Sequence, residues 1–307
     1  MTVTLDWLGC ATFRLAVDDT VIMLDAYIDR VPSAPDVGLS AADISRADAI
    51  LVGHSHFDHI AGAEVIADNT GAPVIGSNES ARILLEAGIP EDQLLRSQGG
   101  ERHRISKDVV VEVFPSLHSC IWTQGSWDPG KIVLGQYGLT EEERWGNRRT
   151  LDIGGSLGER SQDLGAEVHT QMMDHVATCL GSNDTGGALA YLIDTPYGSI
   201  FYHDTSGCWT GVVQNMRPDV GVVAMAGRPN IDGEPIQGSL AQFVGRMSDM
   251  LRAPRVVLGH HDDWMPPMTH DMTGADALAP VKNELNHVAP RSDLIDIPLG
   301  GRIELWR

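Results

Sequence analysis

The sequence predicts an α/β protein, a four-layer αβ/βα sandwich with strands on the inside and helices on the outside. Three observations predict it. Short apolar runs of strand length alternate with amphipathic segments of helix length. Four of those runs end in His or Asp, which gathers polar side chains along one edge of the sheets. Hydrophobic residues make up 42% of the 307 positions, enough for a substantial core, and no low-complexity tract interrupts them. The chain reads as one domain, 1–307, carrying an insertion at 119–187.

The elements follow in order. Val3 to Leu8, Thr12 to Val17 and Val21 to Leu24 are short strands, with Asp18-Asp19 as a turn. Ala49-Ile50-Leu51-Val52 is a buried strand that ends in Gly53-His54-Ser55-His56-Phe57-Asp58-His59. Ile60 to Asp68 predicts a helix, which Gly71 and Pro73 end. Pro73 to Gly76 is a strand, and Asn78 caps a helix through Leu85 that Gly88 terminates. Val109 to Leu117 alternates as a strand and delivers His118. Ala188 to Asp194 and Ser199 to His203 form a hairpin about Thr195-Pro196-Tyr197-Gly198, delivering Asp204. Val220 to Met225 is a further buried strand. Ser239 and Gln242 make a capping box for a helix with Leu240, Phe243, Val244, Met247 and Leu251 on one face. Pro254 follows it, and the strand Arg255 to Gly259 delivers His260-His261.

Three imidazoles and a carboxylate in the spacing H-x-H-x-D-H, aimed from one strand end, suit zinc or another borderline divalent ion. The plain alternative is a surface turn rich in His. With His118, Asp204 and His260 following in order at strand ends, the pattern resembles the metallo-β-lactamase-fold hydrolases. Trp7-Leu8-Gly9-Cys10-Ala11-Thr12-Phe13 and Leu24-Asp25-Ala26-Tyr27 look like the opening of one branch of that superfamily. That branch holds ascorbate-phosphate lactonase-like proteins and the phospholipase D acting on N-acyl phosphatidylethanolamines. Cys10 stands where the branch often has His, and Ala26 where it often has Pro. The resemblance covers residues 1 to about 118 and about 187 to 307.

The resemblance implies two divalent metal ions, zinc first, with manganese or iron accepted by the same donors. His54, His56 and His118 would hold one, Asp58, His59 and His260 the other, and Asp204 would bridge them. Such a pair lowers the pKa of water toward neutrality, giving a hydroxide nucleophile without Ser or Cys. Asp58 would also orient that nucleophile and pass a proton to the leaving group. Asp25 is either an outer partner that fixes an imidazole tautomer or a plain turn carboxylate. Neighbours at a strand end point to opposite sides, so His260 is favoured over His261 as ligand, and His203 points away from Asp204. His169 and His175 compete with His118 but end no strand. The four cysteines, Cys10, Cys120, Cys179 and Cys208, match no C-x-x-C pattern. Packing is the expected role for Cys10, a thiolate ligand the alternative.

The insertion holds Trp122, Trp127 and Trp145, and its Gly154-to-Gly158 run lacks the Lys of a phosphate loop. It is expected to be a lid or substrate wall, with a homodimer interface as the alternative use of its tryptophans. Trp122, Trp127, His203, His261 and Trp264 are the candidate substrate contacts. The expected function is a dinuclear metallohydrolase cleaving a small-molecule lactone, ester or amide. The alternative is a phosphodiesterase, for which Lys131, Arg144, Arg148 and Arg149 of the insertion are the available phosphate partners. With 22 Lys and Arg against 42 Asp and Glu, the formal charge of −20 argues against nucleic acid and anionic membranes. The opening lacks a basic-then-apolar leader and no stretch reaches bilayer length, so a cytoplasmic location is expected.

Overall fold

The computed structural model describes residues 2–120, 161–236 and 238–306. Two seven-stranded sheets face each other. The first runs Arg302–Trp306, Val3–Trp7, Phe13–Val17, Thr20–Leu24, Ala49–Leu51, Val74–Gly76, Leu94–Arg96. The second runs Asp293–Ile295, Arg255–Gly259, Val220–Ala224, Gly198–His203, Leu189–Thr195, Val110–Pro115, Arg102–Arg104. Side chains alternate across a strand, so each sheet has two faces to bury. The inner faces meet through Leu5, Phe13, Leu15, Leu51, Val111, Tyr191, Tyr202 and Val222. Helices Ala63–Thr70 and Asn78–Glu86 cover the first outer face, setting Ile66, Ile83 and Leu84 on Met23, Ile50 and Val52. Helices Leu240–Leu251 and Ala275–Val288 cover the second with Phe243, Met247, Leu278 and Leu285. Ile50 and Leu51 belong to different layers, which is why Ala49–Leu51 is apolar throughout rather than alternating. The four-layer αβ/βα arrangement is the one the sequence predicts.

Strand direction positions the site. Thr20–Leu24 and Ala49–Leu51 pair in parallel, so Asp25 and the His54 loop leave the first sheet at one edge. Gly198–His203, Val220–Ala224 and Arg255–Gly259 also pair in parallel, so Asp204 and His260 leave the second sheet together. Val110–Pro115 is antiparallel to Leu189–Thr195, itself antiparallel to Gly198–His203, so it runs the same way and carries the chain toward His118.

Several elements differ from expectation. The helix expected over 60–68 is two: the turn Phe57–Ile60, which carries Asp58 and His59, then Ala63–Thr70. Between them Gly62 sits at φ +95°, where a Cβ would lie 2.6 Å from the Ala26 carbonyl oxygen. Only Gly fits there, and the break frees the first turn to face the site. Ser77, not Asn78, is the N-cap; it follows the strand in extended conformation and accepts from Ser80 N at 3.1 Å. The capping box of Ser239 and Gln242 is present. His118 lies past Pro115, in the loop after its strand rather than at its end.

Part of the insertion is described. Helix Ala166–Thr178 sets Met172, with Val168 and Val176, against Tyr27, Phe57, Trp264 and Met265. The chain then straps back over the His54 loop: Ser182 N donates to Ser55 O (2.8 Å), Ser55 Oγ to Asp184 O (2.7 Å) and Leu189 N to Gly53 O (2.8 Å). Trp122, Trp127, Trp145, Lys131, Arg144, Arg148, Arg149 and the Gly154-to-Gly158 run lie outside the described residues. Among the described residues, no helix is long and apolar enough to cross a membrane.

Candidate metal centre

His54, His56 and His118 form one group of candidate ligands. His54 Nε2 and His56 Nδ1 approach to 3.1 Å, and the three rings meet edge to face with centroids 4.6–4.7 Å apart. His118 turns Nδ1 toward the Ser119 carbonyl oxygen (2.9 Å), which fixes its proton there and leaves Nε2 as the donor toward the other rings.

Asp58 and His260 form a second group with Cys10, and His59, which groups with His54 and Asp204, lies beside Asp58. Asp58 Oδ2 lies 3.5 Å from His59 Nε2 and 3.3 Å from His260 Nε2. Cation–ligand bonds of about 2.0–2.3 Å put neighbouring donors of a tetrahedral site roughly 3.3–3.8 Å apart, so both separations are edges a bound divalent cation would span. Asp25 fixes this group from behind: His59 Nδ1 donates to Asp25 Oδ2 at 2.7 Å while Gly53 N donates to Asp25 Oδ1 at 2.8 Å. One carboxylate thus touches both His59 and the start of the His54 loop, a geometry that fits the orienting use, one of the two readings left open for it. Cys10 completes the cluster, its Sγ 3.4 Å from His260 Nε2.

Asp204 touches both groups. Its Oδ2 is 2.6 Å from His54 Nδ1 and 3.3 Å from His59 Nδ1. It reaches this place because residue 53 is glycine: a Cβ there would lie 2.1 Å from Asp204 Cγ.

Burial sets the charges. Loss of solvent, then the neighbouring rings, hold His54 and His118 well below the ordinary imidazole range, and burial brings His56 down to about 4. All three are neutral near pH 7, so their lone pairs are available. Burial would also lower His59, but the Asp58 and Asp25 carboxylates more than reverse it and raise it well above the usual value. Burial pushes Asp58 up, and His59 with His260 override this and hold it well below the usual carboxylate range. Burial pushes Asp25 up to about 6 and also raises Asp204. It raises the Cys10 thiol too, aided by Asp58 and Asp262.

The donor set fits divalent cations on a further count. Asp58 Oδ1, Asp204 Oδ1 and His56 Nε2 are buried with no hydrogen-bond partner. Buried carboxylate oxygens left unpaired are costly unless a cation meets them.

Other candidates lie elsewhere. His261 is buried and stacks flat on Trp7, centroids 4.5 Å apart, whereas His260 turns to Asp58 and Cys10. His203 points away as its position demands, tied by Nε2 to Ser116 Oγ at 2.9 Å and to Gly207 O, and it is corrected from substrate contact to structural anchor. His175 bonds the Tyr27 hydroxyl (2.8 Å) and His169 bonds Ser161 Oγ (2.6 Å), so neither joins the cluster. Trp264 does border it, its ring edge-on to His260 at 5.3 Å and buried with Tyr27 and Phe57. Sequence reading passed over Arg30 and Asp262, a buried ion pair that no spacing announces.

Residues 20–135 match the beta-lactamase superfamily domain. A UPF0173 metal-dependent hydrolase of Anaeromyxobacter dehalogenans is 35% identical over 136 residues, which is 42% of this chain and 48% of that relative. The chain thus spans about half the length of the curated relatives it matches. The structure superposes over its full length on all of Igni18, a metallo hydrolase of Ignicoccus hospitalis, with a TM-score of 0.60 at 15% identity. The chain has the metallo-β-lactamase fold. CmlA, a diiron β-hydroxylase of Streptomyces venezuelae, shares it (TM-score 0.56, 13% identity, covering 100% of this chain and 54% of that one), so the fold alone does not choose the chemistry.

Proposed function

We propose that this protein is a metal-dependent hydrolase that cleaves a small-molecule lactone, ester or amide. The observation that carries the reading is the set of adjoining donor groups around Asp58 and Asp204, each of which keeps a buried carboxylate oxygen without a hydrogen-bond partner. The name of the bacterial relative supports the same class. Two divalent cations held by His54, His56, His118 and by Asp58, His59, His260, with Asp204 against both groups, would activate water and polarise a carbonyl oxygen. The chain's residues supply the rest. Asp25 holds His59 in the tautomer that turns Nε2 inward. Asp58, its carboxylate set against both His59 and His260, would orient the attacking water and carry its proton to the leaving group. Tyr27, Phe57, Met172, Trp264 and Met265 give the second donor group an apolar flank that suits an acyl chain or ring. A phosphodiester would need cationic partners; among the described residues Arg30 pairs with Asp262, and Lys131, Arg144, Arg148 and Arg149 lie outside them.

The test is turnover of metal-loaded protein on acyl lactones and aryl esters against an aryl phosphodiester. The carboxyl derivatives are expected to be faster, and Asp58→Asn is expected to lower kcat by about 100-fold or more. Preferential phosphodiester cleavage would replace the reading with the alternative hydrolase.

A further inference from the structure

We infer that Cys10 is a thiolate ligand of the second cation, in one donor set with Asp58 and His260. The inference rests on the metal-dependent reading above and adds to it a soft ligand from the opening of the chain. Three observations on independent parts of the backbone and side chains carry it.

The first is position. Cys10 Sγ is fully buried, 3.4 Å from His260 Nε2, and groups with Asp58 and His260 as a compact ligand set. That separation is another tetrahedral edge, matching the 3.3 and 3.5 Å from Asp58 Oδ2 to His260 Nε2 and His59 Nε2. The second is a buried acceptor that wants a cation here: Asp58 Oδ1 has no partner.

The third is how firmly the thiol is aimed. Cys10 and His260 both take left-handed backbone, φ +48° and +59°, a conformation that non-glycine residues hold only when the surroundings impose it. Here they do. Cys10 N donates to Asp262 Oδ1 at 2.9 Å, and Asp262 is itself held by the buried Arg30 guanidinium. The Cys10 carbonyl oxygen accepts from Trp7 Nε1 (2.9 Å) and from His260 N (2.6 Å). A cysteine needed only to fill space would not require a fixed main chain on both sides. This frame holds Cys10 and His260 against each other and turns both side chains on Asp58.

Coordination exchanges the S–H bond for a sulfur–metal bond and releases the proton to solvent, so the charge of the set gains one negative unit against the dication. Thiolate favours zinc, cobalt or cadmium over manganese and magnesium, so this site is expected to be the tighter and more selective of the two.

The test is cobalt(II) titration of metal-free wild type, Cys10→Ser and Cys10→His, read by near-ultraviolet absorption, by bound-metal analysis and by melting of the metal-free proteins. Wild type is expected to bind two cobalt ions and to develop a thiolate-to-cobalt charge-transfer band. Cys10→Ser is expected to lose the band and weaken one cobalt ion by about 100-fold or more, since even outer partners of a ligand are worth roughly 10–100-fold. Cys10→His is expected to restore the second ion without the band. Metal-free proteins that melt alike establish that folding is not the cause. Two ions bound to wild type without the band, or a band that survives Cys10→Ser, overturns the thiolate assignment and leaves the hydrolase reading standing. No cobalt uptake by wild type overturns both.

Discussion

At the scale of single residues, the site depends on a few atoms whose absence matters as much as their presence. Gly53 is the sharpest case. It follows the strand that delivers His54, and the Asp204 carboxylate lies where its side chain would be. Gly53→Ala places a methyl 2.1 Å from Asp204 Cγ, with backbone on one side and two imidazoles on the other, so the carboxylate must move. Overpacking of this kind costs about 1–3 kcal/mol. The expected outcome is a lower melting temperature together with weaker binding of both cations, because Asp204 contacts a member of each group. Thermal denaturation and metal titration of the variant check this; unchanged metal affinity would mean that Asp204 does not serve the cations. The contrast between Asp25 and Cys10 shows how sequence conveys such roles. Asp25 was readable as a possible orienting group because a carboxylate after a strand, beside His-rich loops, has a recognised use. Cys10 reads first as packing, with a thiolate ligand as the alternative, because the contact with His260 that separates the two readings spans 250 positions and no local spacing encodes it.

At the scale of elements, the insertion's helix Ala166–Thr178 links the chain's least regular stretch to the site. Its apolar contacts centre on Met172, buried among Tyr27, Phe57, Trp264 and Met265, while its other face is largely exposed. Met172→Ala removes that anchor, a change worth about 2–5 kcal/mol in a core. Here the loss should fall on docking of one helix, so a raised KM with kcat little changed is expected, with faster amide exchange confined to 166–187. Global destabilisation with unaltered KM would assign the helix to the core and not to a substrate wall. Element boundaries show what was legible. The inner strands of both sheets and the helix Leu240–Leu251 followed from apolar periodicity, and its capping box from two residues, because local signals and tertiary burial agree there, whereas the edge strands Leu94–Arg96, Arg102–Arg104, Asp293–Ile295 and Arg302–Trp306 did not follow. The single helix expected over 60–68 did not survive, because Asp58 and His59 must turn toward the site and the chain must then pass the Ala26 carbonyl, a demand visible only in three dimensions. His118 was likewise placed at a strand end from its pattern, whereas Pro115 ends the ladder earlier and a loop carries the ring to the cluster.

At the scale of the whole molecule, the donor groups join two sheets that at this edge are otherwise held by apolar burial and a few hydrogen bonds, among them Leu189 N to Gly53 O and His260 N to the Cys10 carbonyl oxygen. Asp25, His54, His56, Asp58 and His59 come from the first sheet's end, and His118, Asp204 and His260 from the second's. Cations shared between these donors would act as cross-links, binding the folded arrangement and not the separated strands. The stabilisation follows mass action: a single cation at 100 times its dissociation constant adds about 2.7 kcal/mol, and two sites add more. The net charge of −20 reinforces the effect, since removing cations from a cluster with three carboxylates at its heart leaves repulsion unscreened in a region already strongly negative. Chelation is therefore expected to lower the melting temperature by several degrees, the midpoint to rise with added zinc in the logarithmic manner of linkage, and added monovalent salt to recover only a small part of the loss. Scanning calorimetry across a zinc series with matched ionic strength checks this. A midpoint indifferent to zinc would mean that the two sheets do not depend on the centre between them.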